Sequence, residues 1–217
     1  MNKKEQSSLT REKKQLRGLL KERRASISAE DRKKKTFSIN QSLIKLIDTQ
    51  IAKNHFQTLH IGAFYPLQNE VDLSAFFEHV YQCPSCVLAF PVLINMHETN
   101  PGKISSSYMN MRVVDYQSWK DASAAFFKNP IKVFSKNDVL LNAYPALPAE
   151  QIDILICPLL GFDSNNNRIG YGGGFYDRYL SQLNELAQTI GVAFEEQRCA
   201  CIPYEDHDAR LDAVIFA

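Results

Sequence analysis

The chain has 217 residues, 45% hydrophobic and 23% charged, with a net charge of +1 and a mean hydropathy of −0.27. That length buries roughly 70% of the unfolded surface without a disulfide or metal staple, and the near-neutral charge argues against a protein built mainly to bind nucleic acid. No stretch approaches the ~20 apolar residues of a membrane span; the opening MNKKEQSSLTREKK lacks a secretion signal's apolar core and is too acidic for a transit peptide, so a cytoplasmic protein is expected.

The charge is uneven. Residues 1–35 hold thirteen Lys or Arg against five Asp or Glu, a net of +8, on a body of net −7. From charge alone, such an arm is equally a polyanion-attracting surface and a solvated helical face. Five cysteines, an odd number, agree with a reducing compartment.

In chain order, residues 1–9 are expected to be flexible and residues 10 to about 26 helical, with Thr10 as cap and Leu16, Leu19 and Leu20 at helical spacing. A second helix starts after Ser28, which opens a Ser-x-x-Asp capping sequence, and runs toward Asp48; Phe37, Ile39, Leu43, Ile44 and Ile47 form its expected buried stripe. TLHIGAFYP reads as a buried strand stopped by Pro66, DLSAFFEHVYQ as a helix capped by Asp72, and SCVLAFPVL and SSYMNMRVV as strands. Between Pro130 and Pro148 mostly loop is expected, with a short strand at IKVF. DILICPLLGF is a further buried strand, YDRYLSQLNELA a helix, and TIGVAF and AVIFA the last strands. Strands alternating with helices imply an α/β fold: a single three-layer α/β/α, Rossmann-like domain with a largely parallel sheet and an amino-terminal helical pair packed on it.

Residues 157–178, CPLLGFDSNNNRIGYGGGFYDR, carry the chemistry. A polar loop follows a buried strand at its carboxyl end, where open α/β sheets bind ligands. Gly170, Gly172, Gly173 and Gly174 let backbone N–H groups approach a ligand closely, and a helix from Phe175 would aim its positive end at the same place. Arg168 is a forked cation suited to phosphate, and Asp177 a hard oxygen ligand for Mg²⁺. Together these parts describe a nucleoside triphosphate site. It is not a Walker loop, because Asn166 stands where the second glycine of G-x-x-x-x-G-K-S/T belongs, and it is not the dinucleotide fingerprint, whose last glycine would fall at Phe175. Nor is DSNNN an EF-hand start, with Arg168 at the turn glycine and Gly174 at the closing glutamate.

The run GFDSNNNRIGYGGGFYDR resembles the signature of the 5-formyltetrahydrofolate cyclo-ligase family. KKQLRGLLKERRASIS resembles that family's amino-terminal Lys-x-x-x-Arg helix, GAFYPLQNEVDL its strand-loop segment with an Asn/Asp-Glu pair, and PYEDHDARLDAVI its closing segment. The resemblance implies an enzyme using ATP and Mg²⁺ to convert 5-formyltetrahydrofolate into 5,10-methenyltetrahydrofolate through a phosphorylated formyl intermediate. It implies ATP contacts from Lys13, Arg17, Arg168, Ile169, Gly170, Tyr171, Gly172, Gly173, Gly174, Phe175 and Tyr176. It further implies folate contacts from Tyr65, Glu70, Tyr171 and Phe175, and Mg²⁺ ligation by Asp177 and Asp208, with no covalent nucleophile. The expected partners are folate and ATP alone, without nucleic acid or membrane, and the chain is expected to act as a monomer. Where many members carry Lys in the glycine run this chain has Gly173, so any phosphate contact of that Lys is absent or supplied elsewhere.

Two patterns are set aside. Cys83-Pro-Ser-Cys86 and Cys199-Ala-Cys201 could offer four thiolates to zinc, but the first pair straddles a helix–strand junction and the second has one intervening residue. His55, His60, His79, His97 and His207 form no ligand-spaced set. Asp212 is read as structural, and Lys14, Lys21, Arg23 and Arg24 as solvated surface charge.

Overall fold

A computed structural model describes residues 3–53, 58–95, 107–205 and 208–217. The helical periodicity of the first fifty residues folds as α1 (Lys3–Ala25) and α2 (Ala29–Lys53). α1 already begins at Lys3, and Thr10 lies inside it rather than capping it; strong helix formers on both sides of Thr10 carry the helix through it. The break falls where the capping sequence placed it. The Ser28 hydroxyl accepts the Asp31 N–H at 3.1 Å and donates to the Asp31 carboxylate at 2.7 Å.

Ile39, Leu43 and Ile47 of α2 are fully buried, but Phe37 is 67% exposed. Two residues are about 200° of helix, so Phe37 points away from the face that starts at Ile39. α2 joins the main core, whereas α1 inserts Leu20 into a separate small cluster with Leu160, Ile169 and Ile202. The two helices thus brace different parts of the molecule.

The strands are β1 (Leu59–Ala63), β2 (Cys86–Asn95), β3 (Ser107–Val113), β4 (Val133–Phe134), β5 (Ala146–Leu147), β6 (Ile154–Pro158), β7 (Gly161–Phe162), β8 (Arg168–Ile169), β9 (Gln188–Ala193) and β10 (Ala213–Phe216). The main sheet runs β10-β9-β6-β1-β2-β3-β5, with β4 beside β2. Pairings among β10, β9, β6, β1 and β2 are parallel, while β3 is antiparallel to β2 and β5. One face packs on α2, α3 (Ser74–Tyr81), α4 (Tyr116–Lys120) and α5 (Ala125–Lys128); the other is covered by α6 (Phe175–Leu180) and by loops carrying Ile152, Leu159 and Leu211. α4 and α5 were not foreseen, although Asp115 caps α4 by accepting the Ser118 N–H at 2.9 Å.

From β1 the chain builds outward through β2 on one side and later through β6, β9 and β10 on the other. The order therefore reverses between β1 and β6, and the crevice beyond their carboxyl ends is where such sheets bind ligands.

Two expected elements are cut short. The run 153–162 is not one strand, because the Leu160 N–H donates to the Ile169 carbonyl (2.8 Å) and the buried Gln197 amide donates to the Leu159 and Leu160 carbonyls (2.8 and 3.1 Å). These bonds pull β7 out of the main sheet into an antiparallel ribbon with β8. Gly161 packs closely there, since a Cβ would stand 2.5 Å from the Leu20 Cδ1 atom and 3.1 Å from the Gln197 carbonyl oxygen, so a side chain would force its neighbours to shift. The helix expected over residues 176–187 ends at Leu180. The Ser181 hydroxyl and Gln182 amide both donate to the Arg178 carbonyl, and Asn184 takes the Leu186 N–H, so side chains replace helical bonds.

Asp72 sits just outside α3, accepting the Ser74 N–H at 2.9 Å. The deeper donor of that first turn, the Phe76 N–H, is taken at 2.8 Å by buried Asn40 of α2, whose amide donates to the Thr36 and Asp72 carbonyls. Asn40→Ala therefore strands buried backbone groups and should cost about 1–3 kcal/mol; a thermal melt should shift downward, and an unchanged melting temperature would remove Asn40 from this role.

Candidate active site

A cleft of about 540 Å³ opens at the reversal point, floored by Phe64 and Tyr65 after β1 and Pro158 at the end of β6. Every residue assigned to the site from sequence borders it: Lys13 and Arg17 from α1; Tyr65 and Glu70 from the loop after β1; Arg168, Ile169, Gly170, Tyr171, Gly172, Gly173, Gly174, Phe175, Tyr176 and Asp177; and Asp208.

The glycine loop is aimed by the ribbon before it. Buried Asp163 accepts the N–H groups of Asn165, Asn167 and Ile202 and the Asn167 amide, all within 2.9–3.1 Å. Burial pushes its carboxyl up, but these hydrogen bonds outweigh it and hold the group below its ordinary range. The knot ties the turn of the ribbon to the segment after β9, so that Arg168 faces the cleft; sequence analysis gave Asp163 no role. Gly172 has φ +100°, a conformation that side chains other than glycine rarely adopt, and its Cβ position would lie 3.3 Å from the Arg17 guanidinium carbon. The helix that follows, α6, has only six residues and a left-handed Gly174 before it. It thus supplies little of the macrodipole expected there.

Three cations line this end. Lys13 is 7% exposed and binds Glu205 at 2.6 Å and Asp208 at 2.5 Å. Burial draws its pKa down, yet the hydrogen bonds to Asp208 and Glu205 prevail and raise it, so the ammonium stays charged. Arg17 donates from Nε to the Gly170 carbonyl at 2.9 Å. Arg168 holds Asp177 at 2.6 Å, and the Ala209 N–H reaches the same Asp177 oxygen at 3.3 Å, bringing the Asp208–Ala209 backbone to it. The buried Arg168 Nε and Tyr176 hydroxyl have no hydrogen-bond partner.

The other polar centre is Glu70, 8% exposed. One oxygen accepts the Leu67 N–H at 2.8 Å; the other accepts the Tyr171 hydroxyl and lies 3.6 Å from Arg24. Arg24 also donates to the Tyr171 hydroxyl at 2.9 Å. Burial first, then the Glu70 charge, pushes the Tyr171 phenol upward, which keeps it a donor. Arg24, set aside as surface charge, is thus a buried member of the site network. Its signal was present: Lys13, Arg17 and Arg24 are spaced four and seven apart, on one helical face. Tyr65 stacks on Phe127 of α5, with centroids 4.2 Å apart and planes 14° apart, and Phe126, Phe127 and Ile131 complete an apolar wall.

Among the described residues no group of three or more His, Cys, Asp or Glu side chains could hold a metal, which leaves the four-thiolate arrangement without support. His60 pairs with Asp153 and His79 with Asp48, away from the cleft; His55, His97 and His207 lie outside the described residues. Asp212 is structural, taking the N–H and hydroxyl of Thr189 at 2.7 Å. Among the described residues no helix is long and apolar enough to cross a membrane.

A charged, glycine-lined cleft at the reversal point of a mainly parallel sheet defines an α/β protein with a ligand site at its strand ends. Residues 9–217 match the model of the 5-formyltetrahydrofolate cyclo-ligase family, and the chain belongs to that family. The 5-formyltetrahydrofolate cyclo-ligase of Mus musculus is 28% identical over 93% of this chain and 91% of its own, and that of Haemophilus influenzae 27% identical over 93% and 96%. The structure of a 5,10-methenyltetrahydrofolate synthetase from Mycoplasma pneumoniae shares the fold, with a TM-score of 0.63 at 23% identity over 94% of this chain and 97% of that one. That of the Aquifex aeolicus protein superposes with a TM-score of 0.60 at 19% identity over 94% and 89%. The chain is accordingly an enzyme of the ligase class, in folate metabolism.

Proposed function

We propose that this chain closes 5-formyltetrahydrofolate to 5,10-methenyltetrahydrofolate at the expense of ATP, releasing ADP and phosphate. The observation that carries the reading is that one cleft joins a glycine loop and the cations Lys13, Arg17 and Arg168 to Glu70 and the Tyr65–Phe127 stack. The first set suits a polyphosphate. The second suits a flat ring with N–H groups along one edge, since each Glu70 oxygen has a second lone pair to offer.

A formamide carbon is a weak electrophile, and loss of its oxygen as hydroxide is unfavourable. In the reaction we propose, the formyl oxygen attacks the γ-phosphorus of ATP and ADP leaves. N10 then attacks the activated carbon, its proton departs, and the C–O bond breaks to release phosphate carrying the formyl oxygen. Phosphoryl transfer of this kind is catalysed by positioning and charge neutralisation rather than by a covalent nucleophile. Arg17 and Arg168, with the N–H groups of Gly170, Gly172, Gly173 and Gly174, hold the phosphates; Ile169, Phe175 and Tyr176 flank them, and Tyr171 and Glu70 orient the ring.

Asp177 and Asp208 fit Mg²⁺ as a pair of carboxylates beside a phosphate cradle, because this ion favours one or two carboxylates plus phosphate oxygens and water over a closed protein cage. When bound, Mg²⁺ would neutralise charge on the phosphates. Arg17, whose guanidinium carbon lies 3.3 Å from the Cβ position of the neighbouring Gly172, and Arg168 would supply the cationic charge that Gly173 does not. We further propose that the chain works as a cytoplasmic monomer with one catalytic domain, whose cleft is lined by residues from Lys13 to Asp208.

Purified protein given 5-formyltetrahydrofolate, ATP and Mg²⁺ should form the methenyl product, read by its near-UV absorbance. No product from folded protein would overturn the reading, and product without ATP consumption would overturn the phosphoryl-transfer step.

A further inference from the structure

The Cys83-Pro84-Ser85-Cys86 sequence lies between α3 and the start of β2, at the amino ends of the parallel strands and so opposite the cleft at their carboxyl ends. It folds as a tight turn: the Cys86 N–H donates to the Cys83 carbonyl at 3.1 Å, and Pro84 takes the second position, where its fixed φ belongs. A turn closed this way keeps its end Cα atoms within about 7 Å, the span a disulfide bridges. It is anchored on both sides, by the Cys83 N–H to the Val80 carbonyl at 3.1 Å and by the Leu59 N–H to the Ser85 carbonyl at 2.8 Å.

The two thiols differ. Cys83 Sγ lies 3.2 Å from the Ser85 hydroxyl. Burial and the Asp48 charge push the Cys83 thiol up, but hydrogen bonds from Ser85 and Cys86 outweigh them and draw it below its ordinary range. The Cys86 thiol, more deeply set, is pushed up to about 12, by burial first and then by Cys83. The first sulfur therefore ionises more readily than the second, an asymmetry that orders attack and resolution.

We propose that Cys83 and Cys86 form a reversible dithiol–disulfide pair that reduces low-molecular-weight disulfides. The Cys83 thiolate attacks one sulfur of the small disulfide, forming a mixed disulfide and releasing one thiol. Cys86 then attacks the Cys83 sulfur, losing its proton, and the second thiol leaves. The small disulfide gains two electrons and two protons, and the protein gains one internal S–S bond.

The test is glutathione disulfide on the full-length native protein, followed by alkylation and trypsin. Residues 54–103 form one tryptic peptide whose only cysteines are Cys83 and Cys86. That peptide should become two hydrogens lighter and resist alkylation. In C86S the glutathione adduct should persist on Cys83, whereas in C83S Cys86 should react at least about tenfold more slowly than Cys83 does in C86S. In guanidinium chloride that difference should vanish. A wild-type peptide that stays fully alkylated at both cysteines, or equal rates for the two native single variants, would overturn the proposal.

Discussion

Asp177→Asn is expected to lower turnover by about 10²–10³-fold while leaving the fold in place. Asparagine keeps an oxygen where Arg168 Nη2 (2.6 Å) and the Ala209 N–H (3.3 Å) now bind, so the hydrogen-bonded frame survives. What disappears is a charge. Without it the Mg²⁺ proposed to ride on the phosphates loses one of two protein ligands, and Arg168 loses the counter-ion that holds it in place. The loss should appear mainly in kcat and be partly recovered at raised Mg²⁺, with far-UV circular dichroism unchanged. Near-normal kcat at ordinary Mg²⁺ would remove Asp177 from the metal site.

Glu70→Gln should separate the two substrates. Hydrogen bonds to a charged acceptor are worth roughly 1.5–3 kcal/mol each, so the KM for the folate should rise about 10–100-fold while the KM for ATP moves little. Glutamine can still accept from the Leu67 N–H, but it replaces one acceptor oxygen with an NH₂ donor and removes the negative charge 3.6 Å from Arg24. Equal rises in both KM values would mean that Glu70 supports the architecture of the cleft rather than the ring.

Much of this arrangement was legible in the residues, for identifiable reasons. Strands such as TIGVAF and AVIFA are apolar runs bounded by turns, and they pair in the parallel register that such runs favour. The glycine run announced itself because chemistry there is local: Arg168, the glycines and Asp177 lie within ten positions of one another.

What was missed depends on partners distant in sequence. Nothing in DILICPLLGF reveals that Gln197 will cap its middle carbonyls and split it at Leu159 and Leu160. Phe127 reads as an apolar residue in a loop until Tyr65, 62 positions away, stacks on it. Arg24 was hidden by its neighbours, since Arg23 beside it is an exposed cation of the same kind. Only the 100° advance of the helix separates the one that reaches Tyr171 from the one that meets solvent. Asp163 was quoted in the signature yet given no role, because its four donors come from two separate segments.

In the proposed reaction the formyl oxygen becomes a leaving group by accepting a phosphoryl group. The most direct measurement uses 5-formyltetrahydrofolate labelled with ¹⁸O in the formyl group and analyses the inorganic phosphate after turnover. Each phosphate released should carry one ¹⁸O atom. Unlabelled phosphate, with the heavy oxygen recovered in water, would contradict it.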